Sequence, residues 1–446
     1  MTDDSESDPA ADSSENHEIC PLPRREQTRN ILLFAACMGL LYLEAPITYV
    51  GVTQGPLCKN LGAREVISNL PGSLYMGMTI FPLFILWAWP RVSQLKTVMF
   101  WCYAISAVFT ALVAVALSAD VGSNIKIALV VAHAGLLGAT GPTAVALGWE
   151  AIGRGVDSSR RGWALSMAFG AGPLLAALAG FGSQLILDGK LGSFEPGALG
   201  FPLNFVALYA AVAPMMLLAA YLATRFVVPL PAVDTEREPF IEGIFGGLWK
   251  FLSNPLLLTT TIVIILVYNG NAISTNMSLF SSELLEGSAE QYAGISNAAR
   301  FGIKSFAGVL MGWLVMRTNP RLGLIATSSL FVLGQLWAIF VEGPWYLFAF
   351  GIFGMGELVG VYAPNYILAA SRKSEIRRNQ SFHTLMMMPA SAAGLLFGAI
   401  VETLGGEQNK AFGFRASFTI CAALILSGIL LALWKLPANP RPTEEG

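Results

Sequence analysis

Stretches such as Ile31–Val52, Thr97–Ser118, Leu203–Phe226, Leu256–Thr275 and Phe418–Trp434 are almost wholly apolar. Each is near the ~20 residues that an α-helix needs to cross the hydrocarbon of a bilayer. No water reaches the backbone there, and a helix bonds its own N–H and C=O groups. A chain built largely of such runs is expected to be an all-α membrane protein. Composition agrees, with 54% apolar and 13% charged residues, about half the charged share of a soluble protein. The 45 glycines are scattered through the runs, as in membrane helices whose backbones approach closely. A net charge of −2 argues against a nucleic-acid partner. Cys20, Cys37, Cys58, Cys102 and Cys421 have no metal-ligand spacing and read as small core residues, so no cofactor is expected.

Residues 1–28 differ. "MTDDSESDPAADSSENHE" is acidic and lacks aromatics, the composition of a disordered cytoplasmic tail. Arg24, Arg25 and Arg29 come late, and no small-residue cleavage site follows a short apolar core. The run from Asn30 is therefore expected to be an uncleaved first span.

Hydropathy predicts twelve spans, near 30–53, 66–90, 97–118, 125–150, 161–187, 202–226, 255–279, 292–316, 321–341, 345–370, 381–404 and 412–435. The eighth and eleventh are the least apolar. Alternate connections carry the basic residues, among them Arg24, Arg25 and Arg29, then Arg154, Arg160 and Arg161, then Arg372, Lys373, Arg377 and Arg378. The intervening loops hold only Lys59, Arg64, Lys126, Lys190, Lys410 and Arg415. Positive charge favours the cytoplasmic side, so both termini are expected inside the cell membrane, with 437–446 a second cytoplasmic tail.

Against this apolar background, Glu44, Lys304 and Glu357 fall near the middle of spans one, eight and ten. Each costs about 2.5–3.5 kcal/mol or more at the bilayer centre and needs a partner, water or a purpose. In "SNAARFGIKSFAGVLMGWLV", Arg300 lies one turn from Lys304 on the same face, and Asn297 extends the stripe. Two readings stand: a structural ion-pair network, Arg300 with Glu357, or cations that meet an anionic substrate group. Glu44, followed by Pro46, reads either as a proton-exchanging group or as a static partner of a cation. Tyr268, Asn269 and Asn271 fall near the middle of span seven, around Gly270, and read as substrate contacts or interhelical hydrogen bonds. His133 and His383 read as packed histidines, Met386–Met388 as packing, and Asn69, Ser73 and Tyr75 as weaker cavity candidates.

The chain also repeats itself. Residues 138–187 and 355–404 each run from a Pro-bearing span through a loop with an Arg-Arg pair into a span rich in small residues. Between the halves, 227–254 reads as a cytoplasmic linker with a short amphipathic helix over Ile241–Leu252, leaving bundles over 29–226 and 255–436. "FGAGPLLAALAG" (Phe169–Gly180) is similar to a Gly-Pro motif of the fifth span in the major facilitator superfamily of secondary transporters. "GWLVMRTNPR" resembles that family's loop motif at Gly312, Arg317 and Arg321, with Met316 in place of the acid and Asn319 in place of the second glycine. The first-half copy, "LWAWPRVSQLK", keeps Arg91 but has Pro90 at the acid's position.

The resemblance implies two pseudo-symmetric six-helix bundles that rock around a central cavity, lined by spans 1, 4, 7 and 10 and flanked by 2, 5, 8 and 11. Spans 3, 6, 9 and 12 lie outside, and none of these has a mid-depth ionisable residue. It implies a cytoplasmic gate at Arg91, Glu150 and Arg317, with Glu150 able to pair with Arg91. A small organic solute and a proton or other ion are the expected partners, within the lipid bilayer and as a monomer. An enzyme is not expected: the three His lie apart, and no G-x-x-x-x-G-K-[ST] phosphate loop is present. The alternative is a transporter-like sensor or assembly factor without solute flux.

Overall fold

A computed structural model describes residues 22–440 except 49–51, 158–159, 161–162, 165–166, 169–170, 192, 198, 231–238, 240, 286, 372–378, 380–381, 384, 386–387 and 407–408. The acidic tail, much of the linker, the basic cluster at 372–378, Phe169 and Met386–Met387 therefore lie outside the described residues.

Among the described residues, a helical segment falls within each of the twelve expected spans. In order they are Arg24–Thr48; Glu65–Gly77 continuing to Ala88; Val92–Ser118; Ser123–Gly155; Ala171–Asp188; Leu203–Ala223; Pro255–Ala272 with Ser274–Leu284; Ala289–Arg317; Pro320–Phe340; Gly343–Ala370; Met388–Gly405; and Lys410–Lys435. Among the described residues ten are long and apolar enough to cross a membrane, so the chain is a multi-pass membrane protein. The other two are the second, interrupted by a tight turn at Met78–Ile80, and the eighth, which carries Arg300 and Lys304. The eleventh, expected to be marginal, is within the ten.

Local chemistry sets several helix starts. Asn254 caps span seven by accepting from Leu256 N and Leu257 N, with Pro255 following. Asn319 and Pro320 open span nine in the same way. Ser288 and Gln291 form a reciprocal capping box at span eight.

Two apolar cores result. One joins residues of spans one to six, such as Phe34, Tyr103, Tyr209 and Phe226. The other joins the later spans through Phe280, Phe331, Phe353 and Phe418. The outward faces of spans three, six, nine and twelve expose Trp101, Val115, Leu217, Phe340 and Leu430, apolar surface suited to lipid. Trp89, Trp149, Trp163, Trp249 and Trp434 are exposed at the ends and connections on the side of the N-terminal end of span one. Such a tryptophan level is typical of a membrane interface. The amphipathic segment is present as Ile241–Gly246, in wider π-type turns, and Gly247–Ser253. It presents Phe245 and Trp249 outward and packs Phe251 on Phe382, ring centroids 5.8 Å apart.

Candidate functional site

The side on which span one ends, distal to the N-terminal end, is sealed between the halves. Glu65 of span two receives Lys59 Nζ at 2.5 Å and, from the other half, Lys410 Nζ at 3.4 Å. Val66 N donates to Glu402 Oε1 at 2.9 Å, and Asn69 Nδ2 to Asn276 Oδ1 at 2.8 Å. Asn60 bonds Glu290, and Ser278 donates to the carbonyl of Val52 at 2.8 Å. Asn297 Nδ2 donates to the carbonyl of Pro46 at 2.8 Å, two residues beyond Glu44. Asn297, Asn69 and Ser73 thus belong to the seal, where Ser73 packs against Gly394.

Small residues allow this closure. A Cβ on Gly180 would lie 2.6 Å from Ala298 N, 2.9 Å from Ala298 Cα and 3.0 Å from Gly294 O. These are backbone atoms of span eight and cannot swing aside. The Gly-Pro stretch of span five is therefore a crossing surface: Gly172 seats the Tyr42 ring, and Gly180 seats span eight. Gly180→Leu should drive the halves apart on the distal side. Overpacking costs about 1–3 kcal/mol, enough for an order-of-magnitude population shift. Spin labels at Lys190 and Glu283 should show a longer distance in the variant, and an unchanged distribution would refute the account.

Beneath the seal lies a cavity of about 340 Å³, lined by Met38, Leu41, Tyr42, Glu44, Ala45 and Thr48 of span one, Tyr75 and Thr79 of span two, Leu137, Gly141, Pro142 and Val145 of span four, and Phe301 and Lys304 of span eight. Glu44 and Lys304, from opposite halves, face one space. Glu44 is 6% exposed, and its Oε2 has no hydrogen-bond partner among the described residues.

Behind Lys304 sits the ion cluster. Arg300 grips Glu357 with both arms, Nε to Oε2 at 3.0 Å and Nη2 to Oε1. Lys304 Nζ reaches the same carboxylate at 3.2 Å. The Arg300 side chain is fully buried, while Lys304 keeps 17% exposure. The Phe301 and Phe353 ring centroids each lie 5.2 Å from the Arg300 guanidinium carbon, a cation–π setting. Glu357 reaches Arg300 because span ten breaks between Gly356 and Val359 and because Gly354 rests on the Arg300 backbone. One carboxylate between two cations leaves one positive charge in surplus beside the cavity.

The span-seven residues are placed elsewhere. Asn269 Nδ2 donates to the carbonyls of Ile265 and Leu266 in its own helix, at 2.9 and 3.0 Å. Tyr268 is buried, with its ring 6.3 Å from that of His383. Asn271, also buried, accepts Ser274 Oγ at its carbonyl. None of the three is among the lining residues. The helix runs through Gly270 to Ala272 and is interrupted at Ile273 before it resumes at Ser274. Gly270 accommodates the Phe331 ring, which a Cβ would approach to 2.8 Å.

At the expected gate, Arg91 and Arg317 are exposed. Glu150 accepts Arg154 Nε at 2.8 Å, one turn along its own helix. Arg321 instead donates to the Leu436 carbonyl at 2.8 Å and ties span nine to the end of span twelve. His133 packs as expected, with Nε2 2.9 Å from Thr110 Oγ1.

Sequence reading missed Tyr42, Thr48, Thr79 and Phe301. The available signal was helical spacing: Thr48 is four residues from Glu44, and Phe301 is three from Lys304.

No family model matches the chain. A riboflavin transporter, RibJ of Trypanosoma cruzi (strain CL Brener), is 26% identical over 181 residues, 39% of this chain and 37% of that protein, so the match spans well under half of the relative. Among solved structures, a mutant of the nucleoside transporter NupG superposes with a TM-score of 0.67 at 12% identity, covering 91% of this chain and 99% of that one. A bacterial homolog of the human lysosomal transporter Spinster, inward-facing and unoccupied, gives 0.65 at 14% identity, covering 93% and 97%. A D-xylose-proton symporter gives 0.64 at 16% identity, covering 92% and 98%.

Proposed function

We propose that this chain, a multi-pass membrane protein with the major facilitator superfamily fold, is a secondary active transporter. It moves a small organic solute across the cell membrane by alternating access, coupled to a proton, with both termini cytoplasmic. The observation that carries the reading is a cavity faced by both Glu44 from one half and Lys304 from the other, beneath a seal of hydrogen bonds and ion pairs. Such contacts can break and re-form, so each side can open in turn. A solute bound between the halves is exposed first to one side and then to the other.

Coupling rests on charge. The Arg300–Lys304–Glu357 cluster leaves one positive charge, which an ionised Glu44 would cancel. Protonation of Glu44 would restore the surplus, so the two protonation states favour different occupants and different conformations of the cavity.

Riboflavin, the solute in the name of the partial relative, is the first to try, followed by nucleosides and a pentose. The purified chain in proteoliposomes should accumulate at least one of these against its gradient when the pH gradient is imposed, and should equilibrate it without one. Binding without flux in either condition would favour the sensor reading and overturn transport.

A further inference from the structure

The lining residues also bear on which solute fits, an inference that rests on the transport reading. The cavity, about 340 Å³, is near the lower end of the range for small-molecule sites. It suits one compact solute rather than a peptide or a lipid. Its walls are largely apolar and bring together three aromatic rings, Tyr42, Tyr75 and Phe301. Rings of this kind recognise flat aromatic solutes by offset stacking and edge-to-face contact.

Two polar groups interrupt these walls. Lys304 can meet a carbonyl, a ring nitrogen or an anion. Glu44 is the more selective. Its residue is 6% exposed and its Oε2 has no partner among the described residues. A buried polar atom without a partner is costly, and a ligand can supply the missing bond. A protonated carboxyl presents a donor and an acceptor side by side. Its complement is an N–H next to a C=O within one ring, held by two parallel hydrogen bonds. An ionised carboxylate would instead prefer paired N–H donors, as on an amidinium. A cationic solute of that kind would lie in the same cavity as the Lys304 ammonium, whose like charge disfavours it. An aliphatic acid would satisfy Lys304 but leave Glu44 and the aromatic walls without a complement.

We infer that the solute is a planar nitrogen heterocycle with a lactam or imide edge, its N–H and C=O paired with the Glu44 carboxyl, its ring among Tyr42, Tyr75 and Phe301, and an electron-rich group facing Lys304. Because the paired form of Glu44 is the protonated one, solute and proton enter the cavity together. This makes the edge contact the point of coupling.

The test is equilibrium binding to the full chain purified in detergent, with three probes. These are lumazine, 1,3-dimethyllumazine, which has no ring N–H left, and naphthalene carboxylate. Lumazine should bind at least tenfold more tightly than the methylated compound, because a site built for an N–H rejects the analogue lacking it. Naphthalene carboxylate should be weaker than lumazine. The wild-type comparison needs no variant to fold. Glu44→Gln, which keeps a donor beside an acceptor, should retain part of the discrimination, and Glu44→Leu should erase it. Tighter binding of naphthalene carboxylate, equal binding of the two lumazines to wild type, discrimination that survives in Glu44→Leu, or no binding of any probe would overturn the assignment. Solute accumulation in proteoliposomes is independent of these probes. The transport reading could therefore survive loss of the solute class, and only absence of flux would remove it.

Discussion

Glu357→Ala should destabilise the folded chain by about 3–5 kcal/mol, the usual cost of removing one member of a buried ion pair. The reason lies in Arg300, whose side chain has no exposure and whose counter-charge is Glu357. Without the carboxylate, a permanent cation remains enclosed by Phe301 and Phe353. Arg300→Met should cost less, because Glu357 would still face Lys304 at 3.2 Å. The double variant, Arg300→Met with Glu357→Met, should recover much of the loss, since apolar side chains of similar volume often replace a buried pair at little cost. Denaturant titration of the three variants in detergent checks the ordering. If Glu357→Ala unfolds within about 1 kcal/mol of wild type, the cluster does not hold the fold in this way.

Glu44→Gln should abolish accumulation of solute against its gradient while leaving exchange between equal concentrations measurable. Glutamine keeps the size and the hydrogen bonding of a neutral carboxyl but cannot release a proton. The exchange half-cycle needs only a loaded cavity that alternates. In the proposed cycle, uphill transport needs the empty cavity to return with Glu44 ionised. Exchange and pH-driven uptake measured on the same proteoliposomes separate the two. If the variant still concentrates solute as wild type does, coupling moves to another group, with Glu357 the next carboxylate to examine. Loss of folded protein in Glu44→Gln would instead mark Glu44 as a structural residue.

The two variants differ because the two carboxylates, alike in sequence, have different neighbours. "GLLYLEAPITY" and "GMGELVGVYAP" each place one acid in an apolar run with glycine and proline nearby. Glu357 is engaged by two cations, while Glu44 faces the cavity with an oxygen unpartnered among the described residues. The amides of span seven teach the same lesson from the other side. Asn269 and Asn271 are polar residues in a membrane helix, where function is a reasonable first expectation. Asn269 turns back on carbonyls of its own helix, and Asn271 lies away from the cavity wall.

What was legible in the amino-acid order is what the bilayer enforces one residue at a time. Apolar length predicts where each helix lies, because every unpaired backbone group in hydrocarbon is penalised locally. The same penalty singles out Glu44, Arg300, Lys304 and Glu357 without any knowledge of their neighbours. The tertiary structure alone decided which of these groups meet. It set Arg300 and Lys304 on Glu357 across 57 and 53 residues of chain, and brought Glu44 to the same cavity as Lys304 from the opposite half. It also turned Gly180 into the seat of span eight. These are distances between helices far apart in the chain, set by how side chains of both partners fill the space between them. No periodicity along one helix carries that information.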